Sequence, residues 1–121
     1  MTKDEMVAQF GEPGVENATL LDLITLDPLS DRVVLAMIER RPWGAGARQL
    51  AQIEEKINRY LGYVLDGFLA EQYPKYEGKE VVIRLDCAEA PQGEALAFVE
   101  AARHAIEGHG LSFAVNVVPP S

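Results

Sequence analysis

Several things that would decide a function are scarce in this chain. Of 121 residues only one is cysteine, Cys87. That excludes an internal disulfide framework and most cysteine-based metal sites. There are two histidines, His104 and His109, too widely spaced to share a helix face, so no metal site and no cofactor is expected. Basic residues are few: 11 Lys and Arg stand against 19 Asp and Glu, for a net charge of −8. This argues against a nucleic-acid partner bound by broad phosphate neutralisation, and against docking on anionic membranes. No apolar run approaches the roughly 18 residues of a membrane span, and Met1 to Gly14 lacks the apolar core of a signal peptide. A cytoplasmic protein is expected. No internal repeat and no low-complexity tract is present.

What remains is an ordinary globular balance, 48% apolar and 25% charged, of a length that predicts one domain. Gly11 to Asn17 reads as a linker, so residues 1–18 are expected to form an N-terminal arm. Thr2-Lys3-Asp4-Glu5 has capping-box spacing for a short helix there. Residues 19–121 are expected to be a single α/β domain.

Leu20 to Leu26 is β-branched and apolar and predicts a strand. Asp27-Pro28-Leu29-Ser30-Asp31 then predicts a turn, because Pro presets one backbone angle and Asp accepts a local hydrogen bond. Arg32 to Ile38 is apolar on both faces and predicts a central strand. From Ala47 to Tyr73, Leu50, Ile53, Ile57, Tyr60, Leu61, Val64 and Phe68 recur at three- and four-residue spacing, predicting one long helix. It ends before Pro74, since the residue preceding proline avoids helical geometry. Glu80 to Cys87 alternates as a third strand, Pro91 to Glu107 predicts a second helix, and Leu111 to Val118 a fourth strand. The order is β-β-α-β-α-β. Right-handed crossovers make strands two, three and four parallel and put both main helices on one face. The expected fold is a two-layer α/β sandwich with a four-stranded mixed sheet. Its other face, carrying Val82, Arg84, Asp86, Ser112 and Asn116, is too polar for a dry core.

The stretches ITLDP, Arg41-Pro42-Trp43, KINRYLGYVLDG and QYPKYEGKEV resemble a family of small bacterial proteins classed only as a domain of unknown function. The likeness runs from Leu20 to Val118. It implies a compact intracellular α/β domain and supplies no catalytic residues.

Two functional readings emerge. The helix from Leu61 onward is apolar nearly all round, and Gly62 and Gly67 lie within it, each costing about 1 kcal/mol against Ala in a helix interior. Close approach of another backbone would explain them. The first reading is therefore a non-catalytic binding or assembly domain that forms a homodimer through Leu61, Tyr63, Leu65, Phe68 and Leu69. An unidentified protein partner, such as a basic protein neutralised by this acidic one, is a version of it. The second reading is a small anionic-ligand-binding protein or enzyme. Its site is the strand-to-helix rim formed by Arg40, Arg41, Trp43, Asp86 and Glu89, where a helix N-terminus offers free N–H groups. The rim sequence Gly44-Ala45-Gly46-Ala47-Arg48-Gln49 is not a dinucleotide fingerprint, because Gln49 replaces the third glycine, nor a P-loop, because the Gly-Lys-Ser/Thr ending is missing. Cys87 reads as a small buried hydrophobe, since parallel strands put His109 at the opposite rim. Asp22, Arg84, Asp86 and Asn116 are expected to meet on the polar sheet face, most simply as an ion-pair network.

Overall fold

Alternating β-branched residues and two amphipathic segments suffice to build a sheet covered on one side. The computed structural model describes residues 23–118. In chain order the elements are β1 (Leu23–Asp27), β2 (Arg32–Glu39), α1 (Gln49–Leu65), α2 (Phe68–Gln72), β3 (Val81–Cys87), α3 (Glu94–Gly108) and β4 (Ser112–Val117). A 3-10 turn, Pro74–Tyr76, precedes β3. The sheet order is β1-β2-β3-β4. β1 is antiparallel to β2, with Leu26 opposite Val33, while β2, β3 and β4 are parallel, with Leu35 opposite Ile83 and Ile83 opposite Phe113. The expected two-layer mixed-sheet fold is what the chain adopts.

The β1–β2 turn is set by one carboxylate. Asp27 accepts the Leu29 N–H at 3.0 Å and the Ser30 hydroxyl at 2.8 Å. The chain leaves the turn through Asp31 at φ 57°, whose side chain takes the Lys79 ammonium at 2.8 Å.

One face of the sheet carries the core. Val33, Leu35, Met37, Ile83 and Leu85 are fully buried there against Ile53, Ile57 and Tyr60 of α1 and Val99 and Ile106 of α3. Tyr60 also donates its hydroxyl to the Ala36 carbonyl at 2.8 Å, so the ring's polar tip is satisfied. Lys56 shares the buried stripe of α1 and is itself partnered. On the opposite face Arg84, Asp86 and Asn116 meet, as expected. Among the described residues no helix covers that face.

Two elements differ from their sequence expectations. The continuous helix predicted from Ala47 to Tyr73 is two helices. The N–H groups of Asp66 and Gly67 bond back to the carbonyls of Gly62 and Val64, and Gly67 then takes φ 87°. A residue with no Cβ enters this left-handed region without penalty, which terminates a helix. The 17 residues of α1 span about 25 Å, where one unbroken helix would run about 40 Å. The break turns α2 back so that Leu69 reaches the core. Gly62 does not mark a close backbone approach either: a Cβ there would meet only the Asp66 Oδ2, at 3.9 Å. The second main helix begins at Glu94, three residues after Pro91, because Pro91 to Gly93 form the connecting turn. The expected N-terminal arm, the strand residues Leu20 to Asp22 and the Pro119-Pro120 stop lie outside the described residues.

Candidate functional site

Parallel strands deliver their following loops to the same end of a sheet, and ligands of α/β proteins gather there. Here Glu39 ends β2 opposite Cys87 at the end of β3. The segments that follow, 40–48 and 88–93, lead into the N-termini of α1 and α3. They are tied together by Trp43, whose indole N–H donates to the Glu89 carbonyl at 2.8 Å.

The first of these loops is braced by Gln49, only 2% exposed at the start of α1. Its Oε1 accepts the N–H groups of Gly44 and Ala45 at 2.9 and 3.1 Å, and its Nε2 donates to the Pro42 carbonyl at 3.1 Å. Those contacts require a tight reversal, and Gly44 and Gly46 supply it at φ 86° and 147°. Between the two loops and the two helix starts lies a half-open cavity of about 640 Å³. Trp43, Gln49, Leu50, Glu89, Gln92, Glu94 and Ala95 form most of its wall. Sites for small molecules fall in this size range. Among the described residues no Lys, Arg or His lines it.

Of the five rim residues expected to converge, the fold brings Trp43 and Glu89 together. Arg41 turns instead to Glu39, donating from Nε at 2.9 Å and Nη2 at 2.7 Å, while its backbone N–H bonds the same carboxylate. The Glu39 side chain is wholly buried. Arg40 lies on the exposed segment after β2, outside the cavity wall, with an interaction of its own. Asp86 points to the other sheet face, where its Oδ1 accepts Arg84 Nε at 2.8 Å and Asn116 Nδ2 at 3.3 Å and its Oδ2 accepts Arg84 Nη2 at 3.0 Å. The anchoring roles of Gln49 and Glu39 were not foreseen. Glu39 and Arg41 were legible as an i,i+2 pair on one side of an extended chain. Gln49 carried no such signal, because its partners are backbone groups of a loop.

The five residues of the expected self-association face also separate. Leu61 and Leu69 belong to the chain's own core. Tyr63 is half-buried and donates its hydroxyl to Gln72 Oε1 at 2.6 Å. Leu65 and Phe68, 50% and 49% exposed, flank Gly67.

Cys87 is buried, and its Sγ donates to the Asn116 carbonyl at 3.8 Å. Burial pushes its thiol pKa up, with the Asp86 and Glu39 carboxylates adding to the shift. A reactive thiol needs the opposite environment. His109 caps the C-terminal end of α3 and precedes β4, so it sits at the other end of the parallel strands. Among the described residues no group of three or more His, Cys, Asp or Glu is placed to hold a metal, and no helix is long and apolar enough to cross a membrane.

A mixed four-stranded sheet, two helices on one face and a cavity where two parallel strands end define a two-layer α/β protein. Residues 14–119 match a family of unknown function (DUF6572), and the chain belongs to that family. No curated protein and no solved structure matches it.

Proposed function

We propose that the protein is a non-catalytic binding domain that takes its ligand or partner in the cavity between the starts of α1 and α3. The observation that carries this reading is the cavity itself, about 640 Å³ at the C-terminal ends of β2 and β3. Its loops are pinned before any ligand arrives, by Gln49 on one side and by the Trp43–Glu89 bond across the gap. Preorganised walls lower the entropy that binding must offset. A fragment library screened by amide chemical shifts tests this. The shifts should cluster on Gly44, Gly46, Glu89, Ala90 and the Trp43 indole, and Ala90→Phe, which fills the exposed mouth, should abolish them. Shifts that gather elsewhere, or that survive the plug, refute it.

A second reading, self-association, rests on Leu65 and Phe68, two large half-exposed apolar side chains on either side of the helix break. It ranks lower because a stable interface buries about 800 Å² per partner, far more than two half-exposed side chains present. Sedimentation velocity up to high micromolar concentration should show a dimer that Leu65→Ser with Phe68→Ser converts to monomer. A monomer throughout removes this reading.

A further inference from the structure

We propose that the flank of α1 formed by Gln52, Lys56 and Tyr60 is an intramolecular docking site for the residues that precede β1, with Asp22 as the counter-ion of Lys56. Lys56 is 0% exposed. A lysine is almost never fully buried unless it is paired, and Lys56 does hold a partner. The carboxylates of the sheet are turned elsewhere. Both oxygens of Glu39 take Arg41, and both oxygens of Asp86 take Arg84. Asp27 is engaged in the turn at the far end of β1. The acids of α1 itself, Glu54 and Glu55, are exposed. Gln52, one turn before Lys56 on the same side of the helix, adds a second signal. Its Oε1 is buried with no hydrogen-bond partner among the described residues. A buried acceptor left open beside a buried ammonium marks this flank as the seat of a polar segment.

The register of the sheet carries Asp22 to this place. Leu23 lies opposite Ala36 and Ile24 opposite Leu35, so one more residue of β1 puts Asp22 opposite Met37. Val33, Leu35 and Met37 share the helix-covered face with Ile24 and Leu26. Strand alternation then puts Asp22 on that face, not beside Arg84 on the other. The helix supplies an independent ruler. Tyr60 reaches the Ala36 carbonyl at 2.8 Å. Lys56 lies one turn earlier, about 6 Å along the axis. Because α1 starts beyond the end of β2 and runs back over it, that step covers about two strand residues, from Ala36 toward Ile38. The two lines of geometry meet at Met37. A carboxylate brought to a covered face needs a cation, and a buried ammonium needs an anion, so each offsets the desolvation of the other. A slip of one residue would send Asp22 to the opposite face, so the pair also fixes the register of β1, an edge strand of 5 residues.

The pairing is independent of the cavity and of the Leu65 and Phe68 face, and a double-mutant cycle on the full chain tests it. Asp22→Leu and Lys56→Met are made singly and together, and denaturant unfolding is measured. Each single change strands one charge in the core and should lower the folded-to-unfolded ratio on the order of a hundredfold. The double variant replaces the pair by two apolar side chains and should recover most of that loss. Losses that simply add, or an Asp22→Leu variant as stable as the native chain, overturn the pairing. Amine labelling with acetic anhydride, read by mass spectrometry on the milder Asp22→Asn, covers the case in which a single variant does not fold. In the native chain Lys56 should react at least about tenfold more slowly than the exposed Lys75. Asp22→Asn should bring the Lys56 rate up toward that of Lys75 and leave Lys75 unchanged. Protection of Lys56 that survives Asp22→Asn, or that is lost instead in Glu16→Gln, gives the counter-charge to another residue and overturns the inference.

Discussion

Single carboxylates fix the two sharpest local features of the chain. Asp27 organises the hairpin turn, and its pKa is drawn below the ordinary carboxylate value, first by the Ser30 hydroxyl and then by the Leu29 amide. A depressed folded pKa means the unfolded chain takes up the proton first as pH falls. The contribution of Asp27 is therefore present above its unfolded pKa and disappears as pH drops through the folded one. A side-chain carbon titration should give Asp27 a midpoint under the ordinary value, and the stability gap between the native chain and Asp27→Ala should close in that same acidic window. A normal midpoint would show that the turn hydrogen bonds are not kept in solution. Glu39 is the second case. Its side chain is wholly buried and answered by Arg41, itself 27% exposed. Removing one member of a buried pair strands the other charge, so Arg41→Ala should cost on the order of 3 kcal/mol in denaturant unfolding. Arg41→Lys should recover only part of it, because an ammonium cannot reproduce the two-pronged contact. A loss under about 0.5 kcal/mol, the ordinary size for a surface site, would mean Glu39 is hydrated in solution.

At the scale of elements, strand and helix positions were legible from period alone, and the helix break was not. The apolar repeat continues through Asp66 and Gly67 without interruption, so periodicity has nothing to report there. Gly67 leaves the helix because folding back lets Leu69 into the core, a benefit that depends on residues far away in sequence. The two glycines consequently make opposite predictions. Gly67→Ala should destabilise the protein by about 1–2 kcal/mol, since Ala pays for left-handed geometry. Gly62→Ala, inside α1 where a Cβ would make only an ordinary contact with the Asp66 Oδ2 at 3.9 Å, should stabilise it by about 0.5–1 kcal/mol. Thermal melts of the two variants check the pair. A loss at Gly62 would point to a close neighbour on that face and revive the packed-partner explanation of this glycine.

For the molecule as a whole, protection should follow sheet position. β2 and β3 are central, paired on both edges, and carry most of the fully buried side chains. Their amides should exchange only through global unfolding, while those of segments 40–48 and 88–93 should exchange through local opening. Native-state hydrogen exchange with a denaturant series checks this, and equal protection of the rim loops would show them to be part of the core's cooperative unit. The site was less legible than the fold. The sequence places the ends of β2 and β3 at one rim, as the fold does, because chain order and right-handed crossovers dictate where parallel strands end. Which side chains meet there was not legible, because Arg41 pairs with Glu39 and Asp86 with Arg84.

Hydrophobic period and turn chemistry were enough to settle the layer order, the parallel strands and the face that is covered, since these follow from which side chains must leave water together. The pairing of Arg41 with Glu39, the brace at Gln49 and the fate of the apolar helix end rested on three-dimensional packing. Each depends on a competition for partners among groups distant along the chain, and a linear pattern does not record which of them wins.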